Sequence, residues 1–174
     1  VEHVFVSHSH ADHFNAKTIA DFAEKRAEAG LPVLKFYSGK ASCDQLETEL
    51  NDRDQRDFVK ITPMHHGMEI GAGELTVKAV NAHHDPNANP LCYIIRRHGA
   101  TAFYGTDTGY PPAETYEALA AEEFDVFLPE VTFIIAGDGM VHMDTHDLRL
   151  LTSRLRADGA IGPWTRVVTI HQCR

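Results

Sequence analysis

The chain has 174 residues, is 43% hydrophobic, and carries 16 basic against 25 acidic side chains for a formal net charge of −9. That length and apolar content fit one domain with a real core, and no apolar run approaches the ~20 residues needed to span a bilayer. The acidic balance disfavours a long-duplex nucleic-acid binder, which would carry a basic stripe.

In chain order, residues 1–6 form an apolar alternating run that reads as a strand. A helix follows over 15–29, with Asn15 as a fair N-cap and Gly30 closing it. Residues 32–37 read as a strand. Ser38 is the expected cap of a helix over about 40–50, with Cys43, Leu46 and Leu50 on one face. The charged stretch 51–57 reads as a loop. Then come β-rich segments at 58–61, 68–70, 74–81, 91–97 and 101–104. Pro111-Pro112 starts a helix over 113–121, since proline suits a first turn. A strand at 124–128, a helix at about 144–157 closed by Asp158-Gly159 and a strand at 165–170 complete the chain. Repeats and low-complexity linkers are absent from the sequence. Strands followed by helices, then antiparallel-looking strands, predict a sheet sandwich flanked by helices.

The chemistry-bearing signal is His8-Ser9-His10-Ala11-Asp12-His13, with three imidazoles and a carboxylate in six residues directly after the first strand. His8 and His10 are two apart, so extended backbone points them to one side. One such loop can offer ligands to two adjacent metal ions, and imidazole with carboxylate suits zinc, iron or manganese. The bland alternative is a solvated polar loop. Further histidines and carboxylates follow other β-rich segments. Residues 75–82 lead to His83-His84-Asp85-Pro86, residues 101–104 to Gly105-Thr106-Asp107-Thr108-Gly109, and residues 166–170 to His171.

This ordered set resembles the signature of the metallo-β-lactamase superfamily of binuclear hydrolases, nearest in pattern to its phosphodiesterase and nuclease branches. The resemblance spans residues 8 to 171 and implies an α+β, αββα sandwich. It implies one metal held by His8, His10 and His84, a second by Asp12, His13 and His171, and Asp107 bridging the two with a water or hydroxide. His83 is the alternative to His84. His142 looks like the histidine those branches place near the substrate, and with Asp12 it is the expected catalytic residue. The alternative for His142 is a helix-flanking surface residue, and Met143, Asp144 and Thr145 match no single branch closely. Glu130, at a strand end, is a candidate partner for a ligand histidine, as are Asp85 and backbone carbonyls; an exposed loop glutamate is the equal alternative.

The implied cofactors are two divalent ions, zinc first, with manganese or iron served by the same ligands. A metal lowers the pKa of bound water to roughly 7, and two ions about 3.5 to 4 Å apart stabilise charge on the attacked centre. The expected substrate is a small cyclic or nucleotide-like phosphodiester, or a nucleic-acid end. A thioester or lactone hydrolase is the alternative, and a non-catalytic binding relative or a di-iron protein reducing oxygen or NO are further classes. His10 stands where the di-iron proteins typically place Glu. No membrane association is expected, and a homodimer is one open assembly.

Other features are given bland readings. Cys43, Cys92 and Cys173 are odd in number and lack metal spacing, which argues for a reducing, cytoplasmic setting. Cys173, two residues from His171, reads as a buried structural thiol rather than a site group. His65-His66 reads as a surface loop, with a pocket pair as the alternative. Arg149, Arg154 and Arg156 read as a solvated helix face. Relatives usually have several strands before the histidine-rich loop, so this domain is expected to be N-terminally truncated relative to a longer parent chain, lacking much of one half-sheet. Residues 1–174 alone are then expected to be poorly soluble, since an open sheet face and edge would be exposed.

Overall fold

Strand β1 (His3–Phe5) lies parallel to β2 (Leu34–Ser38), and β2 parallel to β3 (Val59–Pro63), in register His3 with Lys35 and Leu34 with Val59. Parallel neighbours need crossover connections, here α1 (Ala16–Glu28) and α2 (Lys40–Asp52). The computed structural model describes residues 1–135 and 141–171. They divide into two compact units. The first, Val1–Met64 with Asn87–Asn89, holds this sheet; the second, His65–Pro86 with Pro90–Arg174, holds a six-stranded sheet.

In the first unit, Val6, Phe14, Leu34, Phe36, Cys43, Leu46, Leu50 and Val59 form the core. The expected apolar face of α2 is therefore the buried one. Asn15 caps α1 as expected, its side chain accepting from Thr18 N–H at 2.9 Å. The cap of α2 differs from expectation. Its N-cap is Gly39, and the Ser38 hydroxyl donates instead to the Val6 carbonyl at 2.9 Å. A Cβ at position 39 would lie 2.1 Å from the Asn89 carbonyl oxygen, so only glycine fits. The Asn89 side chain then accepts from Ala41 N–H at 3.0 Å and does the work of a cap from 48 residues away. Residues 51–57, expected as a charged loop, begin as the last turn of α2 and end in a 3-10 turn, Arg56–Phe58.

In the second unit the strands lie in chain order: β4 (Glu69–Ala72), β5 (Leu75–Asn81), β6 (Leu91–Arg97), β7 (Ala100–Gly105), β8 (Phe124–Pro129) and β9 (Ile161–Val167). The first four form an antiparallel meander. Between β6 and β7, His98 and Gly99 both have positive φ (50° and 84°), the backbone of a tight hairpin turn. The last three strands run parallel, joined through α3 (Ala113–Ala120) and α4 (Thr145–Ala157). Val80, Ile94, Phe103, Leu119, Phe127, Leu151 and Leu155 fill the core. Asp144 caps α4 in a reciprocal box with Asp147.

Strand β9 starts four residues before the expected 165. Pro163 lacks a ladder donor, and Thr165 bridges the irregularity by accepting from Gly162 N–H at 2.9 Å and donating to the Phe124 carbonyl at 2.6 Å. Pairing with the β8 segment continues to residue 170, where Val131 N–H donates to the Ile170 carbonyl. The structure thus has mixed α and β content, each sheet flanked by its own helices. No helix among the described residues is long and apolar enough to cross a membrane. Cys43 and Cys92 are free buried thiols, and Cys173 lies outside the described residues.

Burial pushes the Cys43 thiol up to about 11, and it pushes the Cys92 thiol up as well. Both should stay protonated at pH 8 and react slowly with a disulfide reagent, since the thiolate is the nucleophile. Peptide mapping after brief labelling should find neither residue modified until denaturant is added. Labelling of Cys43 at the rate of an unfolded peptide would contradict its placement.

Candidate metal centre

The histidine-rich loop belongs to the first unit. It leaves β1 through Val6 and Ser7, both buried, and turns back on itself where His13 N–H and Phe14 N–H both donate to the His10 carbonyl, at 3.0 and 2.8 Å. Phe14 anchors the far end in the core at 5% exposure. This short turn gathers the imidazoles. The His8 ring centroid lies 4.6 Å from that of His10 and 4.4 Å from that of His13. His8 is fully buried, and its Nδ1 pairs with the Ser7 hydroxyl at 3.0 Å. Asp12 is exposed, with its carboxylate 3.5 Å from His13 Nε2. Each of the four expected ligands of this loop is thus beside another.

The second unit supplies the remaining candidates from the ends of β5, β7, β8 and β9. Asp107 sits in the turn after β7, nearly buried, with φ of 46°; His171 has φ of 55°. A left-handed backbone at a residue other than glycine costs on the order of 1–3 kcal/mol and persists where the surroundings enforce it. Asp and His are among the residue types that tolerate it best. His171 Nε2 lies 2.9 Å from Asp107 Oδ1. That is the distance of an N–H···O bond, and it sets the two potential ligand atoms side by side.

Behind them lies Glu130, a fully buried carboxylate. The exposed-loop alternative for it is therefore excluded. Oε2 accepts from Thr108 N–H in the Asp107 turn. Oε1 accepts from the Thr132 hydroxyl and from His142 Nδ1, the latter at 2.7 Å. Burial pushes the Glu130 carboxyl above the usual carboxylate range, and the Thr132, Thr108 and His142 donors pull it back.

Hydrogen-bond accounting then assigns the ring nitrogens. Thr132 has one proton, and its closest acceptor is Glu130, so its oxygen accepts from His171 Nδ1 at 2.8 Å. His171 Nε2, on the opposite side of the ring, is the nitrogen that faces Asp107. His142 Nδ1 likewise donates to Glu130 Oε1, which turns Nε2 away from the carboxylate. Ligand histidines are usually oriented by such a bond on the other nitrogen. Thr132 was not singled out from the sequence; its signal is the two-residue spacing from Glu130 at a strand end.

His84 Nδ1 donates to the Val141 carbonyl at 2.9 Å, and its ring centroid is 5.0 Å from that of His142. His83 is tied into the Asp107 turn instead. Its N–H donates to the Thr108 hydroxyl at 2.9 Å, its carbonyl accepts from Gly109 N–H, and Nδ1 bonds the Tyr110 carbonyl at 3.1 Å. Of the two, His84 is the ring beside His142. The surface alternative for His142 fails, because its ring is held by Glu130 and stacks at 5.5 Å on His171. Away from this cluster, His66 accepts from Asn81 N–H at 3.2 Å and His65 bonds the His66 carbonyl. Arg149, Arg154 and Arg156 lie exposed on α4 as expected, with Arg154 donating to the Tyr110 hydroxyl at 2.9 Å and lying over the Tyr116 ring.

The donor set suits a divalent ion. Asp107, Glu130, His142 and His171 each offer a ligand atom, all within 4.8 Å of one another. Both Glu130 oxygens are engaged by protein donors, so its part is that of an anchor, and Asp107 and His171 are the pair able to ligate.

The match to known proteins agrees with this geometry. The family model described as "Beta-lactamase superfamily domain" matches residues 1–171. A comparison by sequence with curated proteins returns no match. Among solved structures, the metallo-beta-lactamase fold protein YhfI from Bacillus subtilis superposes with a TM-score of 0.73 at 19% identity, over 100% of this chain and 66% of that one. A diphosphatase of the PhnP family gives 0.73 at 14% identity, over 99% and 60%. The short form of human tRNase Z gives 0.67 at 12% identity, over 99% and 73%. These likenesses show the fold, and this chain spans just under two thirds of YhfI and less of the diphosphatase.

Replacing Glu130 by Gln sets an NH2 against at least one of the three donors. Leaving a buried donor unmatched costs about 1–3 kcal/mol. Urea unfolding of metal-free Glu130→Gln should show a loss in that range. A loss under about 0.5 kcal/mol would mean the carboxylate is not the acceptor of these bonds.

Proposed function

The chain belongs to the beta-lactamase superfamily, and from that premise we propose that it is a metal-dependent phosphodiesterase. On the sequence motif, two divalent ions would be held by His8, His10, Asp12, His13, His84, Asp107 and His171, with Asp107 shared between them. Zinc is the favoured metal because the set is rich in imidazole, while manganese and iron accept the same ligands. The bound ions would supply a water acidified to about pKa 7 and neutralise phosphoryl charge.

The observation that carries the phosphodiester reading is the tie of His142 to buried Glu130 at 2.7 Å. A buried carboxylate on Nδ1 orients an imidazole and stabilises its charged form. His142 Nε2 is then the atom that gives a proton to the leaving oxygen, and Asp12 completes the catalytic pair by supporting the nucleophile's side. Phosphoryl transfer asks the protein for positioning and charge stabilisation more than for covalent chemistry. The names of the PhnP-family diphosphatase and the tRNase Z point the same way. The substrate in this reading is a small phosphodiester or a nucleic-acid end. The cytoplasmic setting belongs to the same reading and rests on the free thiols Cys43 and Cys92.

Hydrolysis of bis(p-nitrophenyl) phosphate by the metal-loaded protein tests the proposal. Turnover should vanish with chelator, and His142→Ala should lower it by about 10²-fold or more. No turnover with both metals bound would transfer the reading to thioester or lactone substrates.

A further inference from the structure

Immediately beside His142 the chain displays apolar side chains to solvent. Ile134 is 75% and Ile135 83% exposed, and Phe133 and Val141 are also exposed. Residues 131–135, Val-Thr-Phe-Ile-Ile, carry no charge. A cluster of this kind is unfavourable in water and marks a contact surface.

The backbone beneath it is fixed. Thr132 N–H and Phe133 N–H both donate to the Met143 carbonyl, at 3.1 and 3.3 Å. The Thr145 hydroxyl donates to the Ile134 carbonyl at 2.6 Å, and the Val141 carbonyl accepts from His84. The Phe133 ring stands edge-on to His142 with centroids 6.0 Å apart. Phe133 therefore joins the apolar stretch to the imidazole that faces the leaving group.

Resting on the phosphodiesterase reading, we infer that this strip is the leaving-group subsite, and that the substrate is a phosphodiester bearing an apolar aryl or alkyl ester group. His142 Nε2 gives its proton to the ester oxygen as the P–O bond breaks. The departing alcohol or phenol then lies along Phe133, Ile134, Ile135 and Val141. A nucleic-acid end is the poorer occupant. Its neighbouring phosphates would meet the uncharged side chains of residues 131–135 on a chain of net charge −9.

The test is calorimetric binding of two non-hydrolysable phosphonates, methylphosphonate and 4-phenylbutylphosphonate, to the intact, metal-loaded protein and to the double variant Ile134→Ser, Ile135→Ser. Both side chains are exposed, so the variant should keep the melting temperature and metal content of the wild type. The arylalkyl compound should bind the wild type at least about tenfold more tightly than methylphosphonate, and most of that ratio should disappear in the variant, as expected for loss of apolar contact. Equal binding of the two compounds by the wild type, or a ratio unchanged in the variant, would overturn the subsite while leaving the phosphodiesterase reading intact. Failure of both phosphonates to bind the metal-loaded wild type would instead sink the phosphodiesterase reading, and this inference with it.

Discussion

The buried carboxylate of Glu130 is the constraint on which the second unit's chemistry depends. One side chain at the end of β8 receives the Asp107 turn through Thr108, the β9 end through Thr132 and His171, and the segment before α4 through His142. Three pieces of chain that are distant in sequence are thereby fixed to one point. A buried charge without donors would be strongly destabilising. The network is stable because every oxygen of the carboxylate has a partner, and the same bonds hold the imidazoles in one orientation.

That arrangement explains how a small polar set can be both rigid and available. Thr132 has a single proton, and giving it to Glu130 leaves its oxygen to receive His171 Nδ1, which turns His171 Nε2 toward Asp107. The left-handed backbone at Asp107 and at His171 is the local cost of bringing the two side chains within 2.9 Å. It is tolerable because β7 and β8 beneath them are locked by parallel pairing that runs to Gly105 with Pro129. In the first unit the analogous support is simpler. A turn closed on the His10 carbonyl, with Phe14 seated in the core, suffices to crowd three rings.

Much of this was legible in the sequence, and the parts that were share a cause. Asn15, the Cys43-Leu46-Leu50 face and the four strand-end motifs are signals carried by residues close together in the chain, and the family match and the superposed folds bear out the resemblance they supported. What escaped depends on contacts across long stretches. Gly39 replaces Ser38 as the cap because Asn89 leaves no room for a Cβ. β9 begins early because Thr165 and Phe124 accommodate Pro163. Whether Glu130 is an exposed residue or an anchor is decided by His142 and Thr108, 12 and 22 residues away. Thr132 carries no motif of its own, and its role exists only once β8 and the chain after β9 lie together.

The central proposal is that the seven ligands named from the motif would hold two metal ions, with Asp107 serving both. Elemental analysis of the purified protein after zinc loading and exhaustive dialysis measures it most directly, with Asp107→Asn beside the wild type. The account predicts two metal ions per wild-type chain and one or fewer in the variant. A wild type that retains no metal, or a variant that keeps both ions, would contradict it.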